Sequence, residues 1–152
     1  MMQNYRITEN TLAILPTDNA PNRTKIIEME QDVYHTSSPS QIIRENCLHY
    51  GASYEGRKQS INYHLHYHQK VPIAIFPKRD LYAFPTESPR NKNCIWLLFH
   101  GVNDIQVEGN DASGMATVQF INGRRLVLNV SVYTMRAQYE RAGVCRGVFE
   151  QL

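Results

Sequence analysis

The residues with types and spacing suited to chemistry fall into four groups. Gly51-x4-Gly56-Arg57-Lys58 sets two glycines ahead of two cations, the ingredients of a loop whose backbone N–H groups converge on an anion. A nucleotide-hydrolysing phosphate loop needs its lysine directly after the second glycine, a Ser or Thr next to hold magnesium, and a strand rather than a helix before it, and this segment departs on all three counts. What is left is anion contact: Ser53, Tyr54, Arg57 and Lys58 offer hydroxyl and cationic donors suited to DNA phosphates. The plainer alternative is a solvated basic turn.

A second basic loop, T-E-S-P-R-N-K-N, presents Arg90 and Lys92 on a backbone stiffened by Pro89, which lowers the ordering cost of a contact. An arginine so placed can enter the narrow, strongly negative minor groove of an A-tract; a plain surface turn is the alternative. His64, His66 and His68 alternate along an expected strand, so neighbouring pairs, about 7 Å apart, could approach one zinc ion. No carboxylate or cysteine lies near in sequence to complete that site, and a titratable polar face is the reading preferred. Cys47 with His49 and Cys94 with His100 have the residue types for nucleophilic catalysis but nothing in their spacing that sets up a base and an orienting group. Both cysteines sit in apolar patterns and read as small buried hydrophobes. No enzyme, metal or cofactor is expected.

The elements that must position these residues begin with composition. The chain of 152 residues has a net charge of +2, enough length for one self-sufficient core over 1–152 and too little charge to announce a nucleic-acid partner. The distribution says more: residues 36–100 hold eight Lys/Arg against four Asp/Glu, while residues 1–35 hold three against five. Three widely spaced cysteines without a C-x-x-C pair fit reduced thiols rather than a disulfide or zinc framework. A polar start and the lack of any apolar run of about 18 residues give no export or membrane signal, so a cytoplasmic, membrane-free protein is expected.

Strand-like runs are read at Thr11–Leu15, Lys25–Met29 and Val33–His35. A helix follows, capped by Ser38 with Pro39 at its first position and stopped by Gly51, with Ile43, Cys47 and Tyr50 on one face. Ile61–Tyr67 alternates with period two and reads as a strand. Ile73–Phe76 and Leu81–Phe84 read as edge or short strands, Cys94–Phe99 as a buried run, and Val102–Val107 as its continuation. Gly109–Gly114 reads as a loop. Asn122-Gly123 between Val118/Phe120 and Leu126/Leu128/Val130 has the pattern of a two-residue hairpin turn, and Tyr133–Phe149 is helical with an end weakened by Gly143 and Gly147. The expected class is α+β, mainly antiparallel sheet with one short internal helix and a C-terminal helix. With no second helix expected after Tyr50, no zinc-finger spacing and no basic heptads, a helix lying in a DNA groove is disfavoured.

Two long blocks then resemble one family. I-I-R-E-N-C-L-H-Y-G-A-S-Y-E-G-R-K at 42–58 and F-P-T-E-S-P-R-N-K-N-C-I-W at 84–96 are similar to the signatures of the ComK family. Weaker similarity runs through the opening strands, the Lys70/Pro72 segment and the hairpin into the last helix. The resemblance implies an activator of competence genes that binds AT-rich double-stranded DNA, largely through the minor groove, as a homo-oligomer, under control of a proteolytic adaptor. It carries Arg57, Lys58, Arg90 and Lys92 as motif positions and implies no catalytic residue; the three histidines match nothing in it. The family's members extend past the final helix, which gives an alternative expectation: a shortened interaction module that modulates a longer activator without binding DNA alone.

Overall fold

The computed structural model describes residues 4–109 and 114–152. Strands β1 (Thr11–Pro16), β2 (Thr24–Glu28) and β3 (Asp32–His35) form one antiparallel meander, and β4 (Ile73–Phe76), β5 (Leu81–Pro85) and β6 (Trp96–Leu98) form another. They join where β1 pairs with β6, giving a six-stranded sheet in the order β3-β2-β1-β6-β5-β4. Strands β7 (Val102–Val107), β8 (Met115–Phe120) and β9 (Arg125–Ser131) make a second antiparallel sheet. Helices α1 (Pro39–His49) and α2 (Tyr54–Leu65) are internal, and α3 (Val132–Glu150) is C-terminal. The class is α+β, as read from the sequence, with two internal helices in place of one.

The large sheet is apolar on both faces because both are covered. Ile14, Trp96, Leu98 and Ala83 point into a core shared with Ile43, Cys47 and Tyr54 of α1 and α2. Ala13, Leu97 and Phe84 point the other way, against Val118 and Phe120 of the second sheet and Met135 and Ala142 of α3. A strand buried on both faces reads as a continuous apolar run rather than an alternation, which accounts for Cys94–Phe99. Helix α3 spans the assembly: Gln138, buried, donates through Nε2 to the carbonyls of Lys70 at 2.9 Å and Pro85 at 3.0 Å.

Helix α1 forms as its caps dictate. The Ser38 hydroxyl accepts from Gln41 N, Pro39 opens the helix, and Gly51 adopts φ +101 just beyond its end, a conformation that glycine reaches without a Cβ clash. Helix α3 runs through both of its glycines instead of fraying. Gly143 lies against the Phe99 ring, where an added Cβ would come to 3.4 Å of Cζ, so close packing replaces the lost propensity.

Two expectations need correction here. The hairpin between β8 and β9 turns through three residues, not two: Gly123 N donates to Phe120 O, Phe120 N donates to Arg124 O, and Gly123 takes φ +88. That is a three-residue loop with glycine at the left-handed position. It frees Asn122 to donate to Met29 O at 3.0 Å, tying the second sheet to the β2–β3 turn. Ile61–Tyr67 is not a strand but the end of α2 and the segment after it. Gly109 and Gly114 flank the expected loop with positive φ, and residues 110–113 lie outside those described.

One buried titratable group makes stability pH-dependent. His100 donates from Nε2 to Glu9 O at 3.1 Å, and its Nδ1 is buried without a hydrogen-bond partner among the described residues. Burial lowers its pKa from the ordinary 6.5, outweighing the opposite pull of the Glu9 and Thr11 carbonyls. The unfolded chain takes the proton near pH 6.5 while the fold resists it. Its contribution is therefore complete above that pH and is lost as pH falls through the folded-state pKa. Melting temperature should drop between pH 7 and 5, and less steeply in His100→Gln; parallel curves would remove His100 as a cause.

Candidate nucleic-acid interface

The first basic segment is the start of a helix. Ser53 caps α2, its hydroxyl accepting from Gly56 N at 2.9 Å, and Gly56 leaves room for that oxygen, since a Cβ there would stand 3.0 Å from it. Tyr54, Arg57, Ile61 and Leu65 then recur at helical spacing on the inward side. Tyr54 and Ile61 are buried, Arg57 and Leu65 partly so. The expected loop and strand dissolve into one helix because the apparent period-two pattern put Tyr63, which is 77% exposed, on the same footing as Ile61. The 54–61–65 spacing and the Ser53 cap were the signals for a helix.

This arrangement changes the standing of each candidate. Lys58 is exposed and has no side-chain partner among the described residues. Arg57 is half-buried, with Nε sealed from solvent and unpartnered among the described residues. Tyr54 is a packing residue, 8% exposed, with the Arg44 guanidinium 4.4 Å from its ring centre. Arg44 also pairs with Glu55, which clamps α1 to α2. The histidines do not share a strand face: His64 is in α2, His66 is its left-handed cap residue, and His68 lies beyond, with Nδ1 2.6 Å from Asn62 Nδ2. Among the described residues, no three His, Cys, Asp or Glu side chains gather to hold a metal ion.

A second helix thus does follow the one ending near Tyr50, overturning the ground on which groove-entering helices were set aside. Residues 50–53 connect α1 to α2, a four-residue link containing glycine, as in a helix-turn-helix.

The second basic segment is a loop that holds itself rigid. Thr86, buried, closes its base, its N donating to Ile95 O at 2.8 Å and its Oγ1 accepting from Ile95 N at 3.1 Å. Asn91 N donates to Ser88 O across Pro89, and Cys94 N donates to Asn91 O, so two turns follow in succession. Asn91 Oδ1 also accepts from Asn93 N at 2.9 Å, the side-chain-to-backbone bond typical of asparagine in turns. The side chains of Thr86, Glu87, Ser88 and Asn91 are engaged within the loop, whereas those of Arg90, Lys92 and Asn93 have no hydrogen-bond partner among the described residues. Those two cations are exposed, and neither side chain has a partner among the described residues.

The two segments touch through buried rings, while Ser53, Arg57 and Lys58 do not line the cleft that Arg90 and Lys92 face. Tyr54 packs edge-on to Trp96, ring centres 6.4 Å apart, and Trp96 follows Ile95, the residue that closes the 86–94 loop. Beside that loop opens a cleft of about 680 Å³, with Arg90, Lys92 and Trp96 in its walls. All three cysteines are buried thiols, and burial raises each pKa, that of Cys47 to about 11 and that of Cys145 to about 12.

A family model described as ComK protein matches residues 2–152. The chain belongs to the ComK family. The ComK-family relative named competence transcription factor, from Bacillus subtilis (strain 168), is 28% identical over 150 residues, covering 98% of this chain and 77% of the relative. No solved structure matches this ComK-family chain. No helix among the described residues is long and apolar enough to cross a membrane.

Proposed function

We propose that this protein is a cytoplasmic transcription activator of competence genes that binds AT-rich double-stranded DNA through phosphate and minor-groove contacts. It acts as a homo-oligomer and is a client of a proteolytic adaptor. Membership of the ComK family supports the class of function. The observation that carries the site is the Tyr54–Trp96 contact, which joins two basic segments far apart in sequence. Arg57 and Arg90 are the main cationic contacts, Lys58 and Lys92 support them, and Ser53 and Tyr54 set the helix that presents Arg57 and Lys58.

Each phosphate contact releases counterions, so binding should weaken steeply with salt. Arg57→Ala and Arg90→Ala should each flatten the log–log salt dependence of binding to an AT-rich duplex by about one unit. Preference over a GC-rich duplex should persist and be competed by a minor-groove drug. Unchanged slopes in both variants would defeat the site assignment. The helix–turn–helix link favours a second reading in which α2 enters the major groove; a major-groove competitor acting in place of the minor-groove drug would select it. The interaction-module alternative predicts a gel shift only when a longer relative is present.

A further inference from the structure

We propose that the cleft beside the 86–94 loop is a binding site for a DNA backbone phosphate, with Arg23 as a third cation that lies in neither sequence motif. The inference rests on the DNA-binding reading above and adds a residue and a location to it. Three stretches far apart in sequence build the cleft: the β1–β2 turn with Arg23, the start of α1 with Ser38 and Ser40, and the loop with Arg90 and Lys92. Among the described residues Asp18 is the one carboxylate in its lining, beside three cations.

Elsewhere among the described residues, Lys25, Arg44, Arg79, Arg124 and Arg146 are neutralised by carboxylates while others, Lys58 and Lys78 among them, are not. What sets the cleft apart is that three un-neutralised cations line one concavity. Arg23, Arg90 and Lys92 have neither an ion pair nor a side-chain hydrogen bond among the described residues. Cations gathered in a concavity repel one another, and a bound anion relieves that repulsion.

The cleft also receives the positive end of α1. Pro39 has no N–H, Ser38 takes the Gln41 N–H, and no acidic residue stands in the first turn. The Ser40 N–H remains without a partner among the described residues, and helix starts of this kind favour anions.

The backbone that carries these side chains is fixed before any ligand arrives. Arg23 N donates to His35 O at 2.9 Å, Arg23 O accepts from Thr17 N at 3.1 Å, and the neighbouring Thr24 hydroxyl donates to Ser37 O at 2.6 Å, just ahead of α1. The opposite wall is the self-bonded loop. Walls that are already folded leave only the side chains to be ordered on binding.

The test is the salt dependence of binding to an AT-rich duplex for the wild type and for Arg23→Ala, Arg90→Ala and Lys78→Ala, with melting temperatures measured in parallel. Arg23→Ala should flatten the slope by about one unit, as Arg90→Ala does, while Lys78→Ala, an unpaired cation outside the cleft, leaves it unchanged. Arg23→Lys should restore it, and Asp18→Asn should tighten binding. The Arg23 side chain makes no hydrogen bond or ion pair among the described residues, so its removal should leave the melting temperature unaltered. A wild-type slope in Arg23→Ala beside a flattened one in Arg90→Ala would overturn this inference and leave the DNA reading standing. A wild-type protein that binds no duplex would overturn both. Stabilisation by inorganic pyrophosphate that is lost in Arg23→Ala, with the DNA slope unchanged, would assign the cleft to a free phosphate instead.

Discussion

Trp96→Ala should lower stability by about 3–5 kcal/mol, the cost of removing a large aromatic side chain from a closed core. Trp96 is 1% exposed, on β6 at the middle of the six-stranded sheet, opposite Ile14 on one side and Pro85 on the other. Neighbours on two strands and a helix cannot all collapse into the space it leaves. At about 2–4 °C per kcal/mol for a chain of this size, the melting temperature should fall by roughly 10 °C. The same variant removes the ring that Tyr54 packs against, so DNA affinity should fall even at temperatures where the protein stays folded. Trp96→Phe, which keeps an aromatic ring, should lose less of both. A melting temperature within 2 °C of wild type in the alanine variant would contradict the assignment of Trp96 as the link between the two segments.

Asn46→Leu should cost about 2–4 kcal/mol although it adds apolar surface to an apolar setting. Asn46 is fully buried in α1 and serves the segment before β1: Oδ1 accepts from Ile7 N at 2.8 Å and Nδ2 donates to Tyr5 O at 2.9 Å. Leucine matches the size and supplies neither bond, leaving two backbone groups unpaired at about 1–3 kcal/mol each. A third bond, to Ile42 O at 2.8 Å, matters less, since that carbonyl lies within the helix ladder. Chemical denaturation should show the loss, and hydrogen exchange at the Ile7 amide should accelerate well beyond exchange in β5. Equal protection at Ile7 in both proteins would refute it.

The helix at Ser38–Gly51 was legible because it carries its own punctuation, a serine cap, a proline and a left-handed glycine, and the meander strands and the last helix because their apolar residues keep a regular pattern. Helix α2 was hidden because its exposed face carries Tyr63 and His64, so that apolar and polar residues alternate as on a strand. Its burial is decided by α1, β4 and α3 rather than by its own pattern. Arg57 could be named from the motif, but its half-buried place follows only once the segment is helical. The rigidity of the 86–94 loop was foreshadowed by Pro89; the closing roles of Thr86 and Asn91 depend on Ile95 and Asn93 being positioned by the sheet. Arg23 left no local signal, since the cleft it lines exists only after three distant stretches have met.

The seam between the two meanders is the shortest ladder of the large sheet. Strands β1 and β6 pair Ala13 with Leu97 and Ile14 with Trp96, a short stretch of ladder beside the five paired positions joining β1 to β2. Arg23 stands on one bank of that seam and Arg90 on the other. A polyanion gripping both would work as a suture, and under tension the protein wrapped on its target should yield at higher force than the protein alone.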